Sequence, residues 1–281
     1  MQNIWLHRYA LIIAVLTALL FLSGTVVTTN EDRPFYAEGQ SHVWFGVVAG
    51  SLLVGLILWL WRTKERAWLW RLAWLAGSIA LVDGVVGASF DQPPAGVRIL
   101  HSLLGQIFFS ATIAIALMTS QAWQKRPEPI EKTGRLKFLA IATPAVVLLQ
   151  VILGAAHRHG AMGLAMHLVW AMVVGLFLVP VMAIIFSIPE PRLRSAGIAL
   201  SIVACSQILL GFGVFIMQSI DADPEALIVA ASVHATIGAL TLATTVVIAL
   251  LVWRVSVQAR SAEPRPLSRR SEDTAARPAL A

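Results

Sequence analysis

Apolar residues occur along this chain in eight long runs, and the short stretches between them carry most of the charged residues. A membrane-spanning helix needs about 20 consecutive, mainly apolar residues, because that length crosses the hydrocarbon layer of a bilayer. The windows that meet this requirement are residues 9–28, 42–61, 72–89, 97–119, 138–156, 162–188, 196–218 and 227–253. The pattern therefore predicts an all-α polytopic membrane protein with eight transmembrane helices.

The composition agrees with a protein embedded in a lipid bilayer. Of the 281 residues, 58% are hydrophobic and only 13% are charged, whereas soluble domains have about 25% charged residues. The single cysteine, Cys205, lies inside an apolar run. An intrachain disulfide, a cysteine-based metal site and a covalent CxxCH heme attachment are therefore excluded. The net charge of +6 follows the membrane topology, and no nucleic-acid partner is expected.

The positions of lysine and arginine predict the orientation of the chain. Of the 21 basic residues, only Arg33, Arg98 and Arg158 lie toward one side of the predicted spans. The positive-inside rule therefore predicts a multi-pass protein of the cell membrane with both termini in the cytoplasm. The first apolar run is longer than the core of a signal peptide and no small-residue cleavage site follows, so we expect it to remain as a span. Residues 256–281 are rich in Arg, Pro, Ala and Ser and predict a disordered cytoplasmic tail.

Four histidines recur at matching positions, near the outer end of every even-numbered span. They are His42, His101, His167 and His234, and the residues four positions later are Gly46, Gly105, Ala171 and Gly238. Residues i and i+4 share a helix face, so an imidazole can ligate a flat macrocycle that lies against the small residue. A single histidine in a span is often only a hydrogen-bonding residue between helices. Four at one depth favour two bis-histidine pairs, for which heme is the natural ligand, over zinc or copper sites, which would need further ligands.

The odd-numbered spans contain a second repeat. In three of them a polar residue precedes a glycine by four positions, whereas the first span has a leucine there: Asp83 with Gly87, Gln150 with Gly154, Gln207 with Gly211, and Leu20 with Gly24. Such glycines permit close helix packing or close approach of a ligand. The repeats predict two tandem four-helix bundles of one orientation, residues 1–130 and 131–255. The intramembrane carboxylate of Asp83 either accepts a hydrogen bond from a neighbouring helix or belongs to a proton path.

At these residues the chain resembles the heme A synthase family. The resemblance covers about residues 9–253 and rests on short motifs in a fixed order. They are Gly24-Thr25-Val26-Val27-Thr28, Glu38 to His42, Gly87-Ala88, Leu153 to His159, and the four histidines. The resemblance implies oxidation of the C8 methyl group of heme O to a formyl group. It also implies that His42 and His101 hold heme O as substrate, and that His167 and His234 hold a heme b that passes electrons to the first half.

The chain departs from the family pattern around the first and third histidines. The family has a glutamate three residues before its first histidine and an arginine just after it, where this chain has Gly39 and Val43. Leu168 stands where an arginine often follows the third histidine. Glu38 lies one residue further from His42, which rotates a helical side chain by about 100°. Glu38 is therefore either a repositioned catalytic carboxylate or a solvated loop residue.

Arg158 lies in the short outer connection between the fifth and sixth predicted spans, where it is flanked by His157 and His159. A guanidinium at this position is either a partner for a heme propionate or a solvated loop cation. With the predicted topology, this connection and all four repeated histidines lie toward the outer face of the membrane. The heme sites are therefore expected near that face.

Several classes of function are compatible with these residues. The first is a membrane oxidoreductase of heme A biosynthesis, whose partners would be heme O synthase or a respiratory complex. The second is a non-enzymatic bis-histidine b-type cytochrome, a subunit of a respiratory complex or an assembly factor on the same scaffold. A heme transporter or chaperone is the third. A purely structural membrane protein is the fourth. The absence of the family's glutamate and arginine favours the second class, whereas the complete set of histidines favours neither the first nor the second.

The predicted topology can be tested with reporters. A reporter fused after Ala281 is expected to be cytoplasmic, and a tag inserted in residues 222–225 is expected to be accessible from outside, because basic residues hold their connections in the cytoplasm. Labelling of intact cells and of inverted vesicles measures both. The reverse pattern would place the histidines on the cytoplasmic side.

Overall fold

The computed structural model describes residues 4–29, 36–64, 67–90, 92–125 and 134–262. Its helices, in chain order, are α1 Ile4–Thr29, α2 Tyr36–Thr63, α3 Ala67–Ala88, α4 Ala95–Thr119, α5 Gln121–Gln124, α6 Gly134–Arg158, α7 Leu164–Phe186, α8 Pro191–Ser219 and α9 Pro224–Ala262. All except α5 are long and apolar enough to cross a membrane, which makes eight candidate spans in the described residues. The predicted all-α membrane architecture is therefore confirmed. Helix α9 continues past residue 256, where the sequence predicted the start of the tail.

The eight long helices form two bundles of four. In the first bundle, α1 contacts α2, α2 contacts α3, α3 contacts α4, and α4 returns to contact α1. The second bundle repeats this order with α6, α7, α8 and α9, and α6 contacts α9 to close it. The two bundles follow one another in the chain, as the internal repeat predicts.

The two bundles meet through their inner helices. Helix α9 contacts both α4 and α1, and α4 also contacts α6. If α1 is exchanged with α6 and α4 with α9, this set of contacts maps onto itself. The halves are therefore related by an approximate twofold arrangement, in which α4 and α9 lie at the centre.

Small and aromatic side chains form the contact between the bundles. Phe21 of α1 and Phe109 of α4 pack against Ala239 and Ala243 of α9, and all four are buried. Helices associate in a bilayer through such close van der Waals packing, because lipid offers little hydrophobic driving force between them. The alanines let α9 approach closely enough for the two phenyl rings to fill the interface.

Local signals set the ends of the helices that position the site. Gly160 has a φ of 69°, and the next residue, Ala161, donates its N–H to the carbonyl of Ala156 at 2.8 Å. A left-handed glycine of this kind ends a helix at little steric cost, so α6 stops just after Arg158. At the start of α8, the carboxylate of Glu190 accepts the N–H groups of Arg192 and Leu193 at 2.8 Å each, which caps that helix.

Candidate cofactor site

The four repeated histidines form two pairs, one inside each bundle. His42 of α2 faces His101 of α4, with ring centroids 6.1 Å apart and an interplanar angle of 87°. His167 of α7 faces His234 of α9, with centroids 6.4 Å apart and an angle of 77°. The structure therefore brings together the pairs that the sequence repeat predicts.

Each imidazole lies directly against a glycine of the preceding long helix. A Cβ atom at Gly24 would lie 2.6 Å from Cε1 of His42, and one at Gly87 would lie 2.7 Å from Cε1 of His101. The second bundle has the equivalent contacts, in which each imidazole again lies against a glycine of the preceding long helix. There, a Cβ at Gly154 or Gly211 would lie 3.0 or 3.1 Å from Cε1 of His167 or His234. Since real Cβ atoms do not approach so closely, the first-bundle glycines leave no room for any other residue beside the rings.

The glycines that follow the histidines have the complementary role. A Cβ at Gly105 would lie 3.4 Å from Oδ2 of Asp83, and one at Gly238 would lie 3.3 Å from Nε2 of Gln207. The contact between two neighbouring helices is thus reciprocal at these positions. The histidine of one helix packs on a glycine of the other, and the polar residue of that other helix packs on the glycine one turn below the histidine. The space beside Gly105 and Gly238 is therefore filled by side chains of the partner helix, and a macrocycle would have to lie between the paired imidazoles and not against these glycines.

In the first bundle, both imidazoles are anchored through Nδ1. The N–H at Nδ1 of His42 points at the carbonyl oxygen of Leu20, 3.0 Å away. The N–H at Nδ1 of His101 points at the backbone carbonyl oxygen of Asp83, 3.2 Å away. Oδ1 of the Asp83 carboxylate lies 2.7 Å from the same nitrogen, but it is not aligned to accept that hydrogen bond. An imidazole that donates from Nδ1 has its proton there and presents Nε2 as a ligand.

In the second bundle, glutamine amides contact the rings. Nε2 of Gln150 lies 3.1 Å from Nδ1 of His167, and Nε2 of Gln207 lies 3.2 Å from Nε2 of His234. The Oε1 atoms of both glutamines are buried without a hydrogen-bond partner among the described residues. The amide of Gln150 also donates to the backbone carbonyl of His167 at 3.1 Å. The second pair thus differs from the first, because the amide of Gln207 meets Nε2 of His234 and not Nδ1.

The spacing of each pair fits two ligands on opposite sides of one metal. A histidine nitrogen lies about 2 Å from a bound transition metal, so the centroids of two opposed imidazoles are about 6 Å apart. The described residues contain no group of three or more His, Cys, Asp or Glu side chains that could hold a metal ion. Two protein ligands per site suit a metal that brings its own equatorial ligands, and the residues present therefore fit a heme.

Arg158 ties the outer end of the second bundle to the first. Its Nη2 donates to the carbonyl oxygen of Thr25 near the end of α1, and the hydroxyl of Thr25 reaches the carbonyl oxygen of Ser232 in α9 at 3.5 Å. Arg158 thus lies in a contact between α1, α6 and α9 rather than in an isolated loop. Its pairing with a heme propionate stays a prediction.

The remaining predicted positions lie differently. Glu38 falls within the backbone of α2, but its side chain is outside the part of the chain whose side chains are described. Val43 and Leu168 are 62% and 51% exposed and therefore point away from the packed interior of the bundles. An arginine at either place would need a different rotation of the helix to reach the paired imidazoles.

Sequence reasoning missed the contacts between the two repeats. It placed Asp83, Gln150 and Gln207 in one repeat and the histidines in another, but it did not pair them. The signal was present, because both repeats have a four-residue spacing and the helices that carry them are adjacent and antiparallel. When the glycine of one helix lies opposite the histidine of the next, the polar residue four positions before that glycine also lies near the histidine.

Comparison of the chain with protein families and with curated proteins identifies no relative. No family model matches the chain, and no curated protein matches it. The case for the site therefore rests on the residues and distances above.

The contact between histidine and glycine predicts a sharp difference between two substitutions in α3. Gly87→Ala places a Cβ 2.7 Å from the His101 ring, whereas Gly84→Ala meets no atom within 4 Å. We expect Gly87→Ala to destabilise the protein by about 1–3 kcal/mol through overpacking, and Gly84→Ala to change stability by less than about 1 kcal/mol. Thermal unfolding in detergent measures both variants. Equal stability of the two would show that the ring does not rest on Gly87.

Proposed function

We propose that this protein is a membrane oxidoreductase that holds a heme in each half and, like the heme A synthases it resembles, oxidises the C8 methyl group of heme O to a formyl group. The observation that carries the proposal is the pair of opposed imidazoles in each bundle, with centroids 6.1 and 6.4 Å apart. This spacing fits axial ligation of one iron by two histidines. His42 and His101 would hold the substrate heme, and His167 and His234 would hold heme b.

A bound heme b supplies one-electron redox chemistry in the second half. The residues of the chain do the rest of the work at both sites. Anchoring of Nδ1 on the carbonyls of Leu20 and Asp83 fixes the orientation of the first pair and leaves Nε2 of each ring as the nitrogen that would bind a metal. The surrounding apolar helices exclude water from the site and lower its dielectric constant. Arg158 would pair with a propionate, and Glu38 would accept protons at the edge of the first site.

The oxidation has a defined balance. Two successive hydroxylations would replace two C–H bonds of the methyl group by C–O bonds, and loss of water from the resulting geminal diol would give the C=O bond. Each hydroxylation would consume one dioxygen, two protons and two electrons from a donor and release one water, so that R–CH3 + 2 O2 + 4 e− + 4 H+ gives R–CHO + 3 H2O. An electron donor and the supply of heme O must come from other proteins. A heme O synthase and a respiratory complex are the partners that this chemistry would require.

A second candidate function is electron transfer by a non-enzymatic b-type cytochrome, as a respiratory subunit or assembly factor. The observation that favours it is the equivalence of the two sites. Each is built from two histidines, which would both hold the heme, and a heme held in this way would supply electron transfer without binding a further ligand. Pigment extraction from purified protein separates the candidates: heme O or heme A beside heme B supports the enzyme, and heme B alone supports the cytochrome.

The second pair provides a direct test of heme ligation. His167→Ala and His234→Ala are each expected to abolish the low-spin b-type spectrum of the purified protein, because six-coordinate iron needs both imidazoles. His157→Ala, at the end of α6 and outside both pairs, is the matched control and should retain the spectrum. Reduced-minus-oxidised difference spectra provide the readout. An unchanged spectrum in both pair variants would rule out these ligands.

The role of Glu38 can be tested in cells that make heme O. Glu38→Gln removes the proton acceptor but keeps the size of the side chain, so heme A formation should fall by about 100-fold, as expected for loss of a general base. The heme of the second half should remain. Heme extraction and chromatography measure both quantities. If the wild type makes no heme A, the enzyme proposal fails; if the variant is as active as the wild type, Glu38 has no catalytic role.

A further inference from the structure

The two sites differ in the charge of the residue that contacts the histidines. Four positions are equivalent by repeat and by contact: Leu20, Asp83, Gln150 and Gln207. Three of them are neutral, and Asp83 alone places a carboxylate beside a ring nitrogen. The approximate twofold arrangement of the bundles therefore relates a charged site in the first half to a neutral site in the second.

Anchoring of the ring does not explain this carboxylate. His42 sits beside Leu20, and its Nδ1 is held by the backbone carbonyl of that residue at 3.0 Å. The backbone carbonyl of Asp83 holds His101 in the same way at 3.2 Å. At His42, the backbone carbonyl of Leu20 and, at 3.4 Å, the hydroxyl of Ser23 orient the ring without any carboxylate, so a carboxylate is not required for orientation at this position.

The surroundings of Asp83 make its charge costly. The side chain is only 13% exposed within a candidate membrane span, and Oδ2 rests against the backbone of Gly105. Among the described residues, His101 is the one basic side chain within ion-pair distance of it. Carboxylates inside membrane spans are expensive and are balanced by a partner of opposite charge. A metal on Nε2 of His101 would supply that charge through the ring.

We infer that Asp83 tunes the redox potential of the heme in the first half, an inference that rests on the proposed binding of heme by His42 and His101. A carboxylate beside Nδ1 makes the imidazole a stronger electron donor to its metal. Its negative charge also favours the ferric iron, which carries one more positive charge than the ferrous iron. The first-half heme would therefore have a lower midpoint potential than the second-half heme, whose histidines are contacted by the neutral amides of Gln150 and Gln207. Asp83 acts through His101 as a residue that tunes the potential, and not as a catalytic residue.

A redox titration tests this inference with a readout other than activity. Purified protein is loaded with hemin to two hemes per chain and titrated with dithionite in the presence of mediators. Wild type should show two midpoint potentials. Asp83→Asn should move the lower one upward and leave the other in place, and the ferric electron paramagnetic resonance g values of the same heme should shift. Asp83→Leu, which copies the arrangement at Leu20, should move it in the same direction.

The second half supplies the matched control. Gln207→Glu introduces a carboxylate at the equivalent position and should lower the other midpoint potential while leaving the first-half heme unchanged. If both hemes bind and neither Asp83 variant moves a potential, the inference is overturned while heme binding stands. If wild type takes up hemin in the second half only, or if His42→Ala and His101→Ala leave heme uptake unchanged, the proposed first site and this inference fail together.

Discussion

The site depends on a reciprocal contact between neighbouring antiparallel helices, in which a histidine ring of one helix rests on a glycine of the other. The contact requires glycine in the first bundle because a Cβ at Gly24 or Gly87 would lie within 2.7 Å of a ring atom. In two of the four helix pairs, a second glycine one turn below the histidine, Gly105 or Gly238, also receives the polar side chain of the partner helix. Each contact fixes both the approach and the register of two helices, and its repetition in four helix pairs brings the imidazoles to one depth.

Duplication of this unit explains why the two bundles are alike, and departures from it show where they have diverged. The bundles share their order of helix contacts and the spacing of their histidine pairs. They differ in the groups that contact the rings. In the first bundle these are the backbone carbonyls of Leu20 and Asp83 and the carboxylate of Asp83, whereas in the second they are the side-chain amides of Gln150 and Gln207. A common scaffold with unequal electrostatics is what a protein needs if its two cofactors have different tasks. The wide interface through α4 and α9 holds the two sites in one body.

Much of the fold could be predicted because the bilayer imposes simple rules on the sequence. Span length, the sorting of basic residues and the four-residue spacings led to eight helices, two bundles and the pairing of His42 with His101 and of His167 with His234. The contacts of Asp83 and the glutamines could not be predicted, because they depend on the rotation and vertical offset of adjacent helices. The position of Arg158 against the carbonyl of Thr25 depends in turn on how the two bundles dock, and no local pattern encodes that.

The central claim is that each histidine pair ligates one iron from both sides. Electron paramagnetic resonance of the oxidised, purified protein, combined with its heme-to-protein ratio, tests this claim most directly. The account predicts two low-spin ferric signals of bis-imidazole type and up to two hemes per chain. A high-spin signal from both hemes, or protein from heme-replete cells that contains no heme, would contradict it.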